Sequence, residues 1–256
     1  VQKKGTKRVQ WRIWLWTGAG LLFCCVFLYS VLPNLVTRVA RRGVMWRGPD
    51  AAEVALTFDD GPDPRYTPRV LDGLRAAGIR ATFFVLADKA LRHPDLIQRM
   101  MQDGHQVEVH GFTHALVPCL GPLASARQAA GAADALAARF NLRPRFYRPT
   151  WGLCNAASLV WARRRRLRVV TWSVMVGDWR GVPADELAAR VLRRLHPGAV
   201  IVLHDSDETL GARRGAPEQV IRMLPQLAAR VRAQGYRFVR LDDWEPDGAR
   251  EGGGEP

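Results

Sequence analysis

Apolar and polar positions divide the chain into distinct regimes. Residues 13–32 carry no charge, and as a helix they would be about 30 Å long, which matches the hydrocarbon core of a bilayer. From residue 51 onward, short runs of Val, Ile, Leu and Phe alternate with stretches whose apolar residues recur every three or four positions. That alternation predicts βα units around a parallel sheet. Seven strands are expected, at 53–58, 81–86, 106–109, 145–147, 168–174, 199–203 and 237–241. Helices are expected at 67–77, 94–103, 124–140, 156–165, 184–195 and 217–234. Thr67-Pro68 and His93-Pro94 mark helix starts, since proline is tolerated in the first turn. Gly78, Gly104 and Gly235 stand where left-handed helix ends call for glycine. Residues 245–256, rich in Gly, Pro and Glu, read as a disordered tail.

The apolar stretch near the N-terminus has interfacial aromatics at both ends, with Trp11, Trp14 and Trp16 on one side and Tyr29 on the other. No small-x-small cleavage pattern follows before Arg38, so an uncleaved membrane anchor is expected rather than a signal peptide. Five basic residues precede the span and four follow it, a balance that leaves the orientation open. Residues 35–46 are basic and amphipathic, and are expected to lie along the membrane surface. The chain therefore divides into an anchor with its juxtamembrane segment (1–48), one globular domain (49–244) and a tail (245–256).

Charge and cysteine content refine this picture. The formal net charge is +14, but Lys3, Lys4, Lys7, Arg8, Arg12, Arg38, Arg41, Arg42 and Arg47 all precede the first acid. Basicity belongs mainly to the anchor, and a nucleic-acid partner is not expected. The run from Arg163 to Arg166 reads as a solvated helix face. Cys24 and Cys25 fall within the span. Cys119 and Cys154 are too far apart for a zinc knuckle. They follow the third and fourth strands, so an exported domain could bridge them; two buried apolar thiols are the favoured reading.

The polar residues at strand ends carry the chemistry. Asp59 and Asp60 follow the first strand, His110 and His114 the third, Arg148 the fourth, Asp178 the fifth and His204 the sixth. All lie at C-terminal strand ends, the face of an α/β barrel on which active sites are built. Paired carboxylates with histidines suit a metal-dependent hydrolase, which needs neutral imidazole and carboxylate ligands and an open water position. Singly, each has an ordinary explanation: a turn or helix cap for Asp-Asp, a surface or core pair for His-x-x-x-His. His93, His105 and His196, beside helix ends and prolines, receive no role. The order of the whole set on one α/β pattern is what points to a site.

Five local motifs extend this reading. They are Thr57-Phe58-Asp59-Asp60-Gly61-Pro62, His110-Gly111-Phe112-Thr113-His114, Arg148-Pro149-Thr150-Trp151-Gly152, Gly177-Asp178-Trp179 and Val200-Ile201-Val202-Leu203-His204. In order and spacing they resemble the motifs of the polysaccharide deacetylase family, the NodB-homology carbohydrate esterases, over residues 51–241. Gly111 replaces the hydroxyl residue that steadies the second motif's loop, Thr150 replaces a proline, and Val202 stands where leucine is usual.

The resemblance implies a distorted (β/α)7 barrel behind an N-terminal transmembrane helix. It implies Asp59 as general base, held by Arg148, and a divalent metal on Asp60, His110 and His114, with zinc expected and cobalt or nickel able to substitute. It implies that Asp178 orients His204 as the acid, that the Trp151 N–H faces the oxyanion, and that Trp179 and Val202 line the acetyl pocket. The expected function is removal of N-acetyl groups from an amino-sugar polysaccharide such as peptidoglycan, a chitin-like or a matrix glycan. The setting would be the cell membrane, crossed once, with the domain outside the cytoplasm. A non-catalytic glycan-binding scaffold and an O-acetyl sugar esterase are the alternatives. Oligomeric state is not legible.

Overall fold

The computed structural model describes residues 2–245, leaving aside the side chains of residues 1–10 and 13; the expected tail beyond Glu245 lies outside the described residues. Eight strands form one curled sheet: β1 (Glu53–Asp59), β2 (Thr82–Leu86), β3 (Gln106–Gly111), β4 (Phe146–Tyr147), β5 (Arg168–Val169), β6 (Val174–Met175), β7 (Ala199–His204) and β8 (Arg237–Val239). Their order is β5-β4-β3-β2-β1-β7-β6, with β8 beside the first half of β1, and every pairing is parallel. The result is a distorted (β/α) barrel preceded by an N-terminal helix.

Helices α1 (Gln2–Val26), α2 (Leu32–Asn34), α3 (Thr67–Ala76), α4 (Ala87–Arg92), α5 (Pro94–Gln102), α6 (Pro122–Ala126), α7 (Ala132–Phe140), α8 (Ala156–Arg164), α9 (Ala184–Arg193) and α10 (Ala216–Ala233) complete the chain. Strand periodicity sorts the core. Val54, Leu56 and Phe58 of β1 join the larger apolar cluster, with Leu71 and Leu74 of α3, Val191 of α9 and Leu224 and Leu227 of α10. Each contributes about 1.5–3 kcal/mol by burial, and Leu74→Ala would cost about 2–5 kcal/mol. The alternate residues turn the other way: Ala55 packs with Phe84, Phe146 and Val200, and Thr57 and Asp59 continue that face toward the strand end. Thr57 pairs with Val202 and Asp59 with His204 in register, so the inward layers of β1 and β7 reach the same rim.

Several expectations change. The strand expected at 168–174 is two strands, β5 and β6, on opposite ends of the sheet. The chain leaves the sheet between them, where the Thr171 carbonyl accepts from the buried Arg148 guanidinium (3.0 Å) and the Thr171 N–H donates to Met45 (2.8 Å). Met45 bridges Val170 and Arg47 bridges Ala199, so residues 45–47 lie across this opening. Helix α4 was not expected; six residues are too few for a periodic signal. The helix expected at 124–140 is α6 and α7 joined by a wide turn at Arg127–Gly131.

The N-terminal helix also departs from expectation. It does not stop at residue 32 but continues through wide turns to Val39. One of these turns precedes Pro33, which has no N–H to give to the turn before it. Residues 35–39 thus prolong the helix, with Thr37 buried against the domain and Leu35, Val36 and Val39 exposed. Trp14–Val39 is long and apolar enough to cross a membrane. Cys119 and Cys154 are both free, and only Cys154 is buried. Asn34 and Thr37 hold Cys154 under the helix, with the Thr37 hydroxyl 4.0 Å from its sulfur, whereas Cys119 sits on an exposed turn.

Candidate active site

Asp59 and Asp60 stand where β1 ends. Asp60 adopts a left-handed backbone (φ 79°), a conformation that short polar residues tolerate better than most. Gly61 follows because the chain has no room there: a Cβ would lie 2.3 Å from an Asp205 carboxylate oxygen. The turn sends the two carboxylates in different directions.

Asp59 points to Arg148. The guanidinium, fully buried, donates to Asp59 Oδ1 (2.6 Å), Thr57 Oγ1 (2.8 Å) and the Thr171 carbonyl, and lies 4.0 Å from the centroid of Phe84. Thr57 Oγ1 in turn donates to the Ile201 carbonyl (2.8 Å). A charge pair removed from water is held by its remaining hydrogen bonds.

Asp60 points to the histidines. Its Oδ1 is 3.0 Å from His110 Nε2 and 3.2 Å from His114 Nε2, yet this buried oxygen makes no hydrogen bond of sound geometry. One carboxylate oxygen and two imidazole nitrogens gathered within 4.8 Å form the donor set of a divalent transition-metal site. Burial alone would raise the Asp60 carboxyl, but the imidazoles against it hold it well below the usual carboxylate range. Oδ2 accepts from Thr209 Oγ1 (3.0 Å), which fixes the carboxylate plane.

Gly111 needs no hydroxyl because Gln128, in the wide turn between α6 and α7, braces the histidine loop. Its Oε1 accepts from the N–H groups of Phe112 (2.8 Å) and Thr113 (3.2 Å), and its Nε2 donates to Thr113 Oγ1 (3.0 Å).

Opposite this group, His204 Nδ1 lies 3.1 Å from both oxygens of Asp178, and the His204 N–H donates to Asp178 Oδ2 (2.7 Å). Burial would lower the His204 pKa, but Asp178, with Asp60 and Asp59 across the site, outweighs it and pushes it up to about 10. Trp179 stands edge-on to His204 (5.5 Å) and Trp151, on a left-handed turn (φ 53°), edge-on to His114 (4.2 Å). A cavity of about 190 Å³ separates the two sides; Asp59, Asp60, His110, His114, Trp151, Trp179, Val202 and His204 all line it, with Arg148 and Asp178 directly behind.

The ten residues singled out from the sequence thus meet at one rim of the barrel. Others had been given no role. Thr57, within the first motif, Thr209 and Gln128 are supports whose residue types alone do not announce one. Asp205, pushed up to about 7 by burial, accepts from Thr67 Oγ1 (2.5 Å) beneath Gly61. Lys89 of α4 holds the same loop through Ser206 (2.9 Å) and Glu208 (2.9 Å). Arg38 and Trp172 also line the cavity.

Comparison with known proteins agrees with this geometry. The Polysaccharide deacetylase family model matches residues 47–170. A peptidoglycan-N-acetylglucosamine deacetylase of Bacillus cereus is 34% identical over 204 residues, covering 79% of this chain and 72% of its own. A chitooligosaccharide deacetylase of Sinorhizobium fredii is 34% identical over 199 residues, 76% of this chain and 93% of its own. The crystal structure of the Bc1960 peptidoglycan N-acetylglucosamine deacetylase superposes with a TM-score of 0.74 at 32% identity, covering 81% of this chain and 95% of that one. Fold, motif order and the residues gathered at the rim therefore agree: the chain belongs to the polysaccharide deacetylase family.

Proposed function

We propose that this protein is a membrane-anchored, metal-dependent hydrolase that removes N-acetyl groups from amino-sugar glycans. The observation that carries the reading is the convergence of Asp60, His110 and His114 on one side of a cavity, with the Asp178–His204 pair on the other. Relatives named for peptidoglycan and for chitooligosaccharides support the substrate class.

Amide hydrolysis needs an activated water, stabilisation of the carbonyl oxygen, and a proton for the departing amine. A divalent metal on Asp60, His110 and His114, zinc foremost and cobalt or nickel in its stead, would supply Lewis acidity and an acidified water. Asp59, fixed by Arg148, accepts the proton as water attacks. The Trp151 N–H faces the developing oxyanion. His204, oriented by Asp178, gives its proton to the nitrogen as the C–N bond breaks, while Trp179 and Val202 contact the acetyl group. An ester leaves without such help, so the buried Asp178–His204 pair favours an amide substrate over an O-acetyl one.

In this reading residues 1–48 form the anchor and juxtamembrane segment, 49–244 the catalytic domain and 245–256 a tail. The helix crosses the cell membrane once, with the domain outside the cytoplasm. Acetate release by the full chain from peptidoglycan fragments, chitooligosaccharides and acetylated xylan, before and after chelation, tests the activity. Release confined to xylan would favour an esterase, and bound metal without release a glycan-binding scaffold. Proteolysis of the C-terminus in intact cells tests the orientation.

A further inference from the structure

The chain leaving the apolar helix runs the length of the barrel, and the order of its contacts fixes the end on which the helix stands. Tyr29 and Ser30 donate to the carbonyls of Leu120 (2.8 Å) and Pro118 (2.7 Å), in the loop after β3 at the active-site rim. Asn34 then exchanges two hydrogen bonds with the backbone of Cys154 (2.7 and 2.9 Å), in the loop after β4. Arg38 reaches the active-site cavity. At Gly48, which donates to the Gly198 carbonyl just ahead of β7 (2.8 Å), the chain arrives at the opposite end, where β1 begins. The described side chains from Trp11 to Val26 are exposed. A helix that crosses a bilayer in this arrangement turns the mouth of the active site toward that bilayer.

Two further features sit at the same end. Leu210, 88% exposed, and Leu123, 85% exposed, are the most exposed large apolar side chains outside the N-terminal helix, and Leu210 lines the active-site cavity. Apolar side chains on the membrane side of a domain meet the acyl boundary rather than water. Arg38 and Arg41, with Thr171 and Trp172, line a smaller cavity of about 110 Å³ that shares Arg38 and Trp172 with the active-site cavity. Among the described residues, the contacts of these cations are aromatic: Arg38 is 5.9 Å from the Trp172 centroid and Arg41 4.0 Å from that of Trp46. Six residues separate Leu32, the end of the uncharged stretch, from Arg38, which is about 9 Å along a helix. The headgroup layer is about 5–7 Å deep on each side of the hydrocarbon. Arg38 therefore stands just beyond that layer, with a side chain long enough to reach back to a phosphate at the membrane surface, and Arg41 follows beside it on the shared cavity.

We propose that the substrate is an N-acetylated amino sugar tethered to a membrane lipid through a phosphate or pyrophosphate. Arg38 and Arg41 take the phosphate, and the acetamido group enters the cavity between Asp59 and His204. This rests on the deacetylase reading above. Water adds to the acetyl carbonyl carbon, the C–N bond breaks, acetate departs and the amine takes a proton; the sugar–phosphate–lipid linkage is untouched. A guanidinium pair recognises phosphate through charge and paired donors, and a neutral oligosaccharide offers no anion to meet them.

The test uses the full chain in nanodiscs and follows acetate release from three probes bearing the same sugar. These are polyprenyl-pyrophosphate-linked N-acetylglucosamine in the same bilayer, UDP-N-acetylglucosamine in solution, and neutral tetra-N-acetylchitotetraose. The lipid-linked probe should give the highest kcat/KM, by about tenfold or more. In Arg38→Ala and Arg41→Ala its KM should rise so that the ratio of its kcat/KM to that of the chitotetraose falls about tenfold, with Arg38→Lys keeping most of the ratio. Equal or better turnover of the chitotetraose, or an unchanged ratio in the variants, would overturn the proposal and leave the deacetylase reading standing. Equal use of the UDP-sugar would overturn its membrane part. Silence on all three would overturn both.

Discussion

Gln128 occupies the space that a side chain at position 111 would need: its Oε1 lies 2.8 Å from where a Gly111 Cβ would be. The two residues are alternative solutions to one problem, the bracing of a loop that carries two histidines. A hydroxyl at 111 and a glutamine at 128 cannot both fit without displacement.

Gln128→Ala should therefore loosen the His110–His114 loop and weaken metal affinity about 10–100-fold, the usual effect of losing an outer support of a metal ligand. Gly111→Ser alone should also weaken it, by collision. The double variant should recover only the part of the loss due to that collision, since a Cβ at 111 also meets the Thr113 carbonyl at 3.1 Å. Chelator competition followed by absorbance measures all three, and additive losses in the double variant would refute the exchange.

His110→Ala and His114→Ala should each remove metal and activity together, since three donors barely define a site and two do not. Elemental analysis of purified protein is the check. Full occupancy in either variant would show that the ligands lie elsewhere.

Asp59→Asn should keep the metal and lose about two or more orders of magnitude in turnover, as when a positioned base is removed. Arg148→Met should do something different. It strands the Asp59 carboxylate in the interior, and breaking such a pair costs about 3–5 kcal/mol. The thermal unfolding temperature should drop in both, since Asp59→Asn leaves the fully buried Arg148 cation without its counter-charge; the drop should be smaller for Asp59→Asn, whose amide oxygen still accepts from the guanidinium.

His204 should hold its proton through neutral pH, because its folded value of about 10 stands above the ordinary 6.5. With the folded value raised, the charged pair's contribution to stability is complete below about pH 6.5 and is lost as pH rises toward 10. Amide hydrolysis should fail on the same alkaline limb. A metal beside Asp60 would offset part of the negative charge and move the limb downward. Asp178→Asn should pull the limb down and slow amide substrates more than activated esters. An NMR titration of the His204 ring giving 6.5 or less would contradict this.

Seven of the ten candidate residues were legible as polar side chains at the ends of apolar runs, which a parallel barrel gathers on one rim, while Trp151, Trp179 and Val202 were legible only through the motifs' resemblance to the family. The split of residues 168–174 was not. Thr171 and Trp172 look like strand, but Thr171 gives its carbonyl to the buried Arg148 and its N–H to Met45, partners that lie far from it in sequence. Thr209 and Gln128 were invisible for the opposite reason: threonine and glutamine are common everywhere, and their importance lies in which atom they reach across the fold. Arg38 was hidden by its setting, since a cation following an apolar span reads as a headgroup contact until the helix is seen to continue along the domain.

The bridges that Met45 makes to Val170 and Arg47 to Ala199 bear on how a soluble form of this protein should be cut. A fragment beginning at residue 49 discards the short segment that covers the opening between β5 and β7, and leaves unpaired backbone groups along both edges. Such edges invite pairing between molecules, so that fragment should aggregate. One beginning at Val44 keeps the cover and omits the apolar helix. It also lacks Arg38 and the Asn34 bonds to Cys154, so it should serve for metal binding and crystallisation but misreport the preference for a charged substrate.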